Sequence, residues 1–250
     1  MAQTFDFIIV GAGSAGCVLA GKLTANGRYK VLLIEAGGTD RRFWVKIPVG
    51  YGFTFSDPAV NWRYSAAADP GLNGREAYWP RGKVLGGSSS INAMAYVRGL
   101  PHDFDDWEAA GATGWGWENV RRSYEALECN DEWHDGRRRL RGAGPVRVTD
   151  LSERMHPFAR NFLAAGQDLG WQFLPDMNAA AEEGANTLPS EGMGYVRSTV
   201  KDGRRWSAAD SFLRPAMKRG NLTVISGALV EKVVTSGGRA TGVAYRVKGR

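Results

Sequence analysis

Two short apolar runs, Phe5 to Val10 and Lys30 to Ala36, open the chain, and runs of this length predict strands buried on both faces. Between them Val18, Leu19 and Leu23 mark one side of a helix that stops near Gly27, so the N-terminus predicts a βαβ unit. Gly37 to Arg81 then loses any clear period. It is rich in glycine, proline and aromatics (Phe43, Trp44, Tyr51, Phe53, Phe55, Trp62 and Tyr64), which predicts an ordered lid rather than a slack loop. Helical spacing returns from Asp103 to Ala110 and through Val120, Tyr124 and Leu127, with Trp115 and Trp117 packing the joint.

Beyond Gly142 the pattern changes. Val146 and Val148 alternate as in a strand, and Pro157 opens a helix whose Phe158, Phe162, Ala165 and Leu169 face inward before Gly170 ends it. The glycine- and alanine-rich stretch up to Glu191 predicts a loop, and Gly192 to Val200 a strand. Ser207 and Asp210 form a helix cap, and Pro215 kinks or ends the helix they start. Asn221 to Ser226, Leu229 to Thr235 and Thr241 to Val247 predict three strands, the last two joined at Gly237 and Gly238. No internal repeat is present.

Composition narrows the class. A chain of 250 residues, 43% hydrophobic, can bury a sizeable core. No apolar run is long enough to cross a bilayer, and the first strand begins too close to Met1 to leave room for a cleavable signal. Two cysteines, Cys17 and Cys129, give neither a disulfide framework nor a metal-ligand spacing, which suits a reducing cytoplasm, and Cys17 reads as a small buried hydrophobe. The net charge of +6 would suit anionic partners, but the densest basic run, Arg137 to Arg141, lacks interleaved aromatics. It reads as solvated surface, and nucleic acid is not an expected partner.

The candidate chemistry begins at Gly11 to Gly16, GAGSAG. Gly11 allows a tight turn, Gly13 lets the backbone approach a pyrophosphate, and Gly16 allows helix to pack on strand. Ser14 and Ala15 lie in the first helical turn, where free N–H groups and the positive dipole end favour phosphate. Glu35 closes the second strand, where an acid accepts from ribose hydroxyls. The pattern predicts a dinucleotide but does not separate NAD from FAD. A second block, GKVLGGSSSINAMAYVRGLPHDFDDW from Gly82 to Trp107, permits close backbone approach at Gly86 and Gly87 and offers the hydroxyls of Ser88, Ser89 and Ser90. On its residues alone it fits either a turn with capping serines or a loop touching a second part of a long cofactor.

The arrangement Gly82, Lys83, Leu85, Gly86, Gly87, Ser88, Ser89, Ile91, Asn92, Tyr96, Gly99 and Asp105 resembles the signature of the glucose-methanol-choline oxidoreductases, with their choline- and alcohol-dehydrogenase members. Trp107 to Trp117, Gly203 to Ala209 (GRRWSAA) and Asn221 to Val234 resemble further segments of that family's N-terminal FAD-binding portion. The resemblance implies FAD, with Val84 and Gly87 near the ribityl and ring, Asn92, Ala93 and Met94 against the isoalloxazine, and Val230 contacting adenine through its backbone. Ile91 stands where members with covalently attached flavin carry histidine, which implies non-covalent FAD. It also implies oxidation of a small-molecule alcohol at its CH–OH group, hydride passing to flavin N5 and electrons then to oxygen or a quinone.

The implied fold is α/β. A Rossmann-like FAD domain with a parallel sheet and β-meander would occupy residues 1–143 and 204–250, and 144–203 would form part of an α+β substrate domain with an antiparallel sheet. The family's catalytic histidine is expected beyond position 250. His102, His134 and His156 each have a sufficient structural explanation, so no catalytic residue and no metal ligand is assigned within the chain. A non-catalytic flavin-binding fragment is the alternative expectation. Either way the interrupted sheet should leave apolar surface exposed.

Overall fold

The computed structural model describes residues 3–134, 137–178 and 192–247. They fall into two compact units, Met1–Met94 with Asp202–Arg250, and Ala95–Lys201. Residues 95–143 group with the residues that follow them in the second unit. The reason is strand pairing: Glu128–His134 pairs with Val146–Thr149, which binds 95–143 to the residues that follow.

The first unit is built on the predicted βαβ. Strand β1 (Phe7–Val10), helix α1 (Ser14–Leu23) and strand β2 (Val31–Glu35) are joined by a third strand, Leu222–Ser226, in a parallel sheet with β2 in the middle. Successive side chains of a strand point to opposite faces. Accordingly Val31 and Leu33 pack with Ile9, Cys17, Ala20 and Leu213 on one side, while Leu32 and Ile34 pack with Ala228 on the other. Each fully buried aliphatic side chain contributes roughly 1.5–3 kcal/mol. Burial on both faces holds for β2, all five of whose residues are buried, but not for β1, whose Val10 is 55% exposed. Among the described residues β1 is an edge strand, and an apolar run reads the same in either position.

The outer face of the sheet is met by a hairpin, Ala228–Ser236 with Arg239–Val247, turned at Gly237 and Gly238, both at positive φ as a tight two-residue turn requires. Its register shifts between Val230 and Lys232, a bulge that falls beside a residue of interest below. The lid segment is ordered, through short helices Phe43–Lys46 and Tyr51–Thr54 and a pair of two-residue strands, Tyr64–Ser65 with Tyr78–Trp79. Buried Asn61 ties it together: Nδ2 donates to the Phe55 carbonyl (2.7 Å), and Oδ1 accepts from the amides of Arg63 and Arg81 (both 2.9 Å).

The second unit centres on a five-stranded sheet in the order Ala95–Tyr96, Arg197–Ser198, Val146–Thr149, Glu128–His134, Arg137–Arg141. It is antiparallel except for the parallel pair Glu128–His134 with Val146–Thr149. The basic run Arg137–Arg141 is therefore the outer strand of a sheet. Helices Pro101–Ala109 and Trp117–Leu127 meet through Phe104, Trp107, Trp115 and Trp117, as the joint predicts. The expected strand from Gly192 to Val200 reduces to Arg197–Ser198 and Val200–Lys201. Helix Phe158–Asp168 forms as predicted, but its apolar face is not inward: Phe158 is 68% exposed, Phe162 63% and the following Leu169 80%. Phe158 and Phe162 border an open apolar hollow with Met155, Met177, Met193 and Tyr195. The expected loop up to Glu191 lies, for residues 179–191, outside the described residues.

Candidate cofactor site

Two glycine turns separated by more than seventy residues meet at the end of the parallel sheet. The Gly86 amide donates to the Ala12 carbonyl (2.7 Å), and a Cβ placed on Gly87 would lie 2.7 Å from the Gly13 Cα. Gly11, Gly86 and Gly87 all adopt positive φ, which only glycine tolerates cheaply. A Cβ on Gly16 would run into the Gly11 carbonyl oxygen, so this glycine serves helix-on-strand packing. On Gly13 it would meet nothing within 4 Å, and Gly13 heads α1 without a side-chain cap. The bare backbone therefore faces open space at a helix N-terminus whose Ser14 and Ala15 are exposed, a geometry that fits a phosphate.

Glu35 ends β2 beside this turn and is buried. Oε2 accepts from the Ala12 amide (2.7 Å) and Oε1 from the Gly37 amide (2.8 Å). Burial pushes its pKa above the ordinary glutamate value, against the opposing pull of those two amides and of the Lys83 ammonium. Gly11, Gly13, Glu35, Gly87 and Val230 line one cavity of about 300 Å³, together with Trp62. A neighbouring cavity of about 600 Å³ shares Ala36, Trp62 and Leu229 with it and adds Lys83, Arg42 and Arg246.

The serine-rich loop uses its hydroxyls on backbone groups, mostly its own, with Ser89 Oγ also accepting from the Ala208 amide (3.0 Å). Ser89 donates to the Gly86 carbonyl (2.6 Å), Ser90 to the Leu85 carbonyl (2.7 Å), and Ser88 Oγ accepts from the Gly82 amide (3.1 Å). None of these bonds caps the short helical turn Gly87–Ser90, whose N-terminal residue Gly86 has no side-chain cap. Val84 and Ile91 are buried in a small cluster with Val45 and Val60, so Val84 can offer a ligand only its backbone. Asn92 and Ala93 are exposed. Met94 is buried at φ +63, a turn held by its amide donating to Asn92 Oδ1 (3.1 Å).

Two residues of the site carry weak sequence signals. Trp62 lines both cavities and stacks on Tyr64, with the Lys83 ammonium 4.4 Å from its ring centre. In the sequence it is one aromatic among many. Arg205, inside the GRRWSAA segment, is 1% exposed. Its Nε donates to the Val45 carbonyl (2.9 Å), Nη1 to Asn92 Oδ1 (2.7 Å) and the Ser89 carbonyl (3.2 Å), and Nη2 to the Asn92 carbonyl (2.7 Å). Burial pushes its pKa down to about 10, with the Asp210 carboxylate opposing, so it is charged at neutral pH. Asp210 belongs to the Ser207 cap and to a buried ionic cluster. Lys46 Nζ reaches Asp40 (2.8 Å) and Asp210 (2.8 Å), and Arg214 Nε reaches Asp210 (2.8 Å).

Histidines are absent from residues 1–94 and 202–250. In the second unit, exposed His102 lies 3.6 Å from Asp103, and exposed His156 Nδ1 accepts from the Phe158 amide (3.2 Å). The His134 side chain lies outside the described residues. Among the described residues no group of three potential metal ligands is present.

Against this geometry, the family model for GMC oxidoreductase matches residues 5–250. The chain belongs to the GMC oxidoreductases. It is 39% identical over 251 residues to an oxygen-dependent choline dehydrogenase of Vibrio vulnificus, covering 100% of this chain and 43% of that protein. Among solved structures it is similar to pyridoxine 4-oxidase from Mesorbium loti, with a TM-score of 0.84 and 32% identity over 98% of this chain and 47% of that one. It is also similar to an FAD-dependent oxidoreductase from Chaetomium thermophilum, with a TM-score of 0.81 and 27% identity over 98% of this chain and 42% of that one. The GMC chain thus spans under half the length of these relatives. Both the α/β fold with its parallel sheet and the family drawn from the two glycine blocks agree with the sequence expectation.

Proposed function

We propose that this GMC oxidoreductase chain binds one FAD non-covalently across its two glycine turns and forms the cofactor-holding part of an enzyme that oxidises the CH–OH group of a small alcohol. The observation that carries the reading is the packing of Gly86 and Gly87 on Ala12 and Gly13, which puts both blocks at one site. When bound, FAD supplies the hydride acceptor at N5.

The chain's own residues bind and orient. Gly11, Gly13, Ser14 and Ala15 present backbone and the α1 N-terminus to the pyrophosphate, Gly16 lets α1 pack closely enough to hold them there, and Glu35 accepts from the ribose. Val230 meets adenine through its backbone beside the bulge. Val84 and Gly87 lie along the ribityl, and Asn92, Ala93 and Met94 back the isoalloxazine. Ile91 is apolar and buried, which leaves no nucleophile at that position for covalent attachment. The electron acceptor in this reading is oxygen or a quinone. No helix of the described residues is long and apolar enough to cross a membrane, and the free, buried thiols of Cys17 and Cys129 suit the cytoplasm.

The test is to purify the protein, record its visible spectrum and identify what denaturation releases. Stoichiometric FAD freed by denaturant without proteolysis supports the reading. Covalently retained flavin, or NADH binding with no flavin, overturns it. A second reading, a flavin-binding chain without turnover of its own, is favoured by the lack of any histidine in the unit that holds the cavity. Alcohol-dependent anaerobic bleaching by this chain alone would reject that reading.

A further inference from the structure

Arg205 is an unusual investment for a protein interior. A buried guanidinium normally faces a carboxylate, because its charge is otherwise costly to desolvate. Here all four hydrogen bonds run to uncharged oxygens, and three of them to Ser89 and Asn92. The nearby Asp210 carboxylate is engaged by Lys46, Arg214 and Ser207. The planar fork therefore fixes a loop and not an ion partner.

The consequence falls on one side chain. Asn92 Oδ1 accepts from Arg205 Nη1 and from the Met94 amide, so the amide cannot turn over without placing its NH₂ against two donors. Its Nδ2 has no hydrogen-bond partner among the described residues, and the residue is exposed. Orientation of an asparagine decides whether it offers a donor or an acceptor, and here the outward group is a donor.

We propose that Arg205 is a positioning residue that locks the Ser89–Met94 loop and turns the Asn92 amide so that Nδ2 donates a hydrogen bond to the ring system of the bound flavin. This rests on the reading that Asn92 to Met94 back the isoalloxazine, whose carbonyl oxygens and ring nitrogens are acceptors. Asn92→Asp preserves shape and both inward contacts but replaces the donor with an acceptor. Arg205→Lys keeps the charge but not the fork.

The test is FAD titration of wild type, Asn92→Asp, Arg205→Lys and the double variant, each checked for folding by circular dichroism, with the visible flavin spectrum and reduction potential recorded at saturation. The expected result is an FAD affinity about tenfold or more weaker in each single variant, from one lost hydrogen bond. A shifted flavin band and potential accompany it, and the double variant is little worse than either single one. Asn92→Asp with unchanged affinity, band and potential would overturn the proposal, as would additive losses in the double variant. Failure of Arg205→Lys to fold while Asn92→Asp weakens FAD would reduce Arg205 to a structural role and overturn it as well. Wild type that takes up no FAD at all would instead refute the function proposed above.

Discussion

Glu35 shows how burial acts on a single carboxylate at the site. Both its oxygens already accept backbone amides, yet burial holds its pKa above that of an ordinary glutamate. The proton-free form is the one that accepts from a ribose hydroxyl, so FAD affinity should begin to fall, as pH is lowered, at a higher pH than a glutamate of ordinary pKa 4.5 would give. Glu35→Gln turns an NH₂ toward a backbone N–H and should weaken FAD by about 1–3 kcal/mol at neutral pH while flattening that acid limb. Fluorescence titration across pH 4–8 checks both, and a wild-type curve flat down to pH 4 would contradict the assignment. Burial shifts Cys17 in the same direction and so quenches its reactivity: it pushes the thiol up to about 12, with Sγ donating to the Ala12 carbonyl (3.2 Å). Iodoacetamide at pH 8 should leave Cys17 unlabelled until denaturant is added, and rapid labelling of native protein, seen by peptide mass mapping, would refute its burial. Glu35 and Cys17 are legible in the sequence because strand and helix periodicity place them. Arg205 is not, since its burial depends on oxygens from Val45, Ser89 and Asn92, which only the tertiary fold brings to it.

Elements of the first unit are held to one another by close backbone approach at Gly87 and by charge at the Asp40–Lys46–Asp210–Arg214 cluster. Gly87→Ala meets two obstacles, φ +55 and the Gly13 backbone, and should cost about 1–3 kcal/mol of stability together with FAD retention. Gly52→Ala, where an added Cβ meets nothing, should change stability by no more than about 0.5 kcal/mol, and equal effects of the two in thermal melts would dissolve the argument. At the ionic cluster, burial alone would raise the Asp210 carboxyl, but Lys46 and Arg214 more than reverse this and leave it below its ordinary value of 3.8. A depressed carboxyl contributes stability above its unfolded pKa and loses it as pH falls through the folded one. Melting temperature should therefore drop steeply below about pH 4, and Lys46→Met, which strips two buried carboxylates of a partner, should cost about 3–5 kcal/mol at pH 7. A loss under 1 kcal/mol would show the cluster to be dispensable. The glycine fingerprint, the Ser207–Asp210 cap and the hairpin turn were readable because each is encoded within a few residues. The edge position of β1 and the exposed face of helix Phe158–Asp168 were not, because an apolar stripe specifies that it wants burial and not what will bury it.

At the scale of the whole molecule, apolar surface is left open in each compact unit, at Val10 and Phe7 in the first and at Phe158, Phe162 and Leu169 in the second. Exposed large apolar side chains favour association where they cluster. The 250-residue chain alone should self-associate in a concentration-dependent way by light scattering, and a monodisperse monomer with a sharp cooperative melt would contradict this. The family and the doubly glycine-marked cofactor region were legible because the two blocks are long patterns.

The claim on which the rest depends is that two turns far apart in sequence hold one FAD, and a crystal structure of the FAD-loaded protein tests it most directly. The expected result is a single continuous FAD with its pyrophosphate at Gly13 and the α1 N-terminus, its ribose at Glu35 and its isoalloxazine against Asn92 to Met94. FAD bound without touching Gly13, or with its ring system away from Asn92 to Met94, would contradict it.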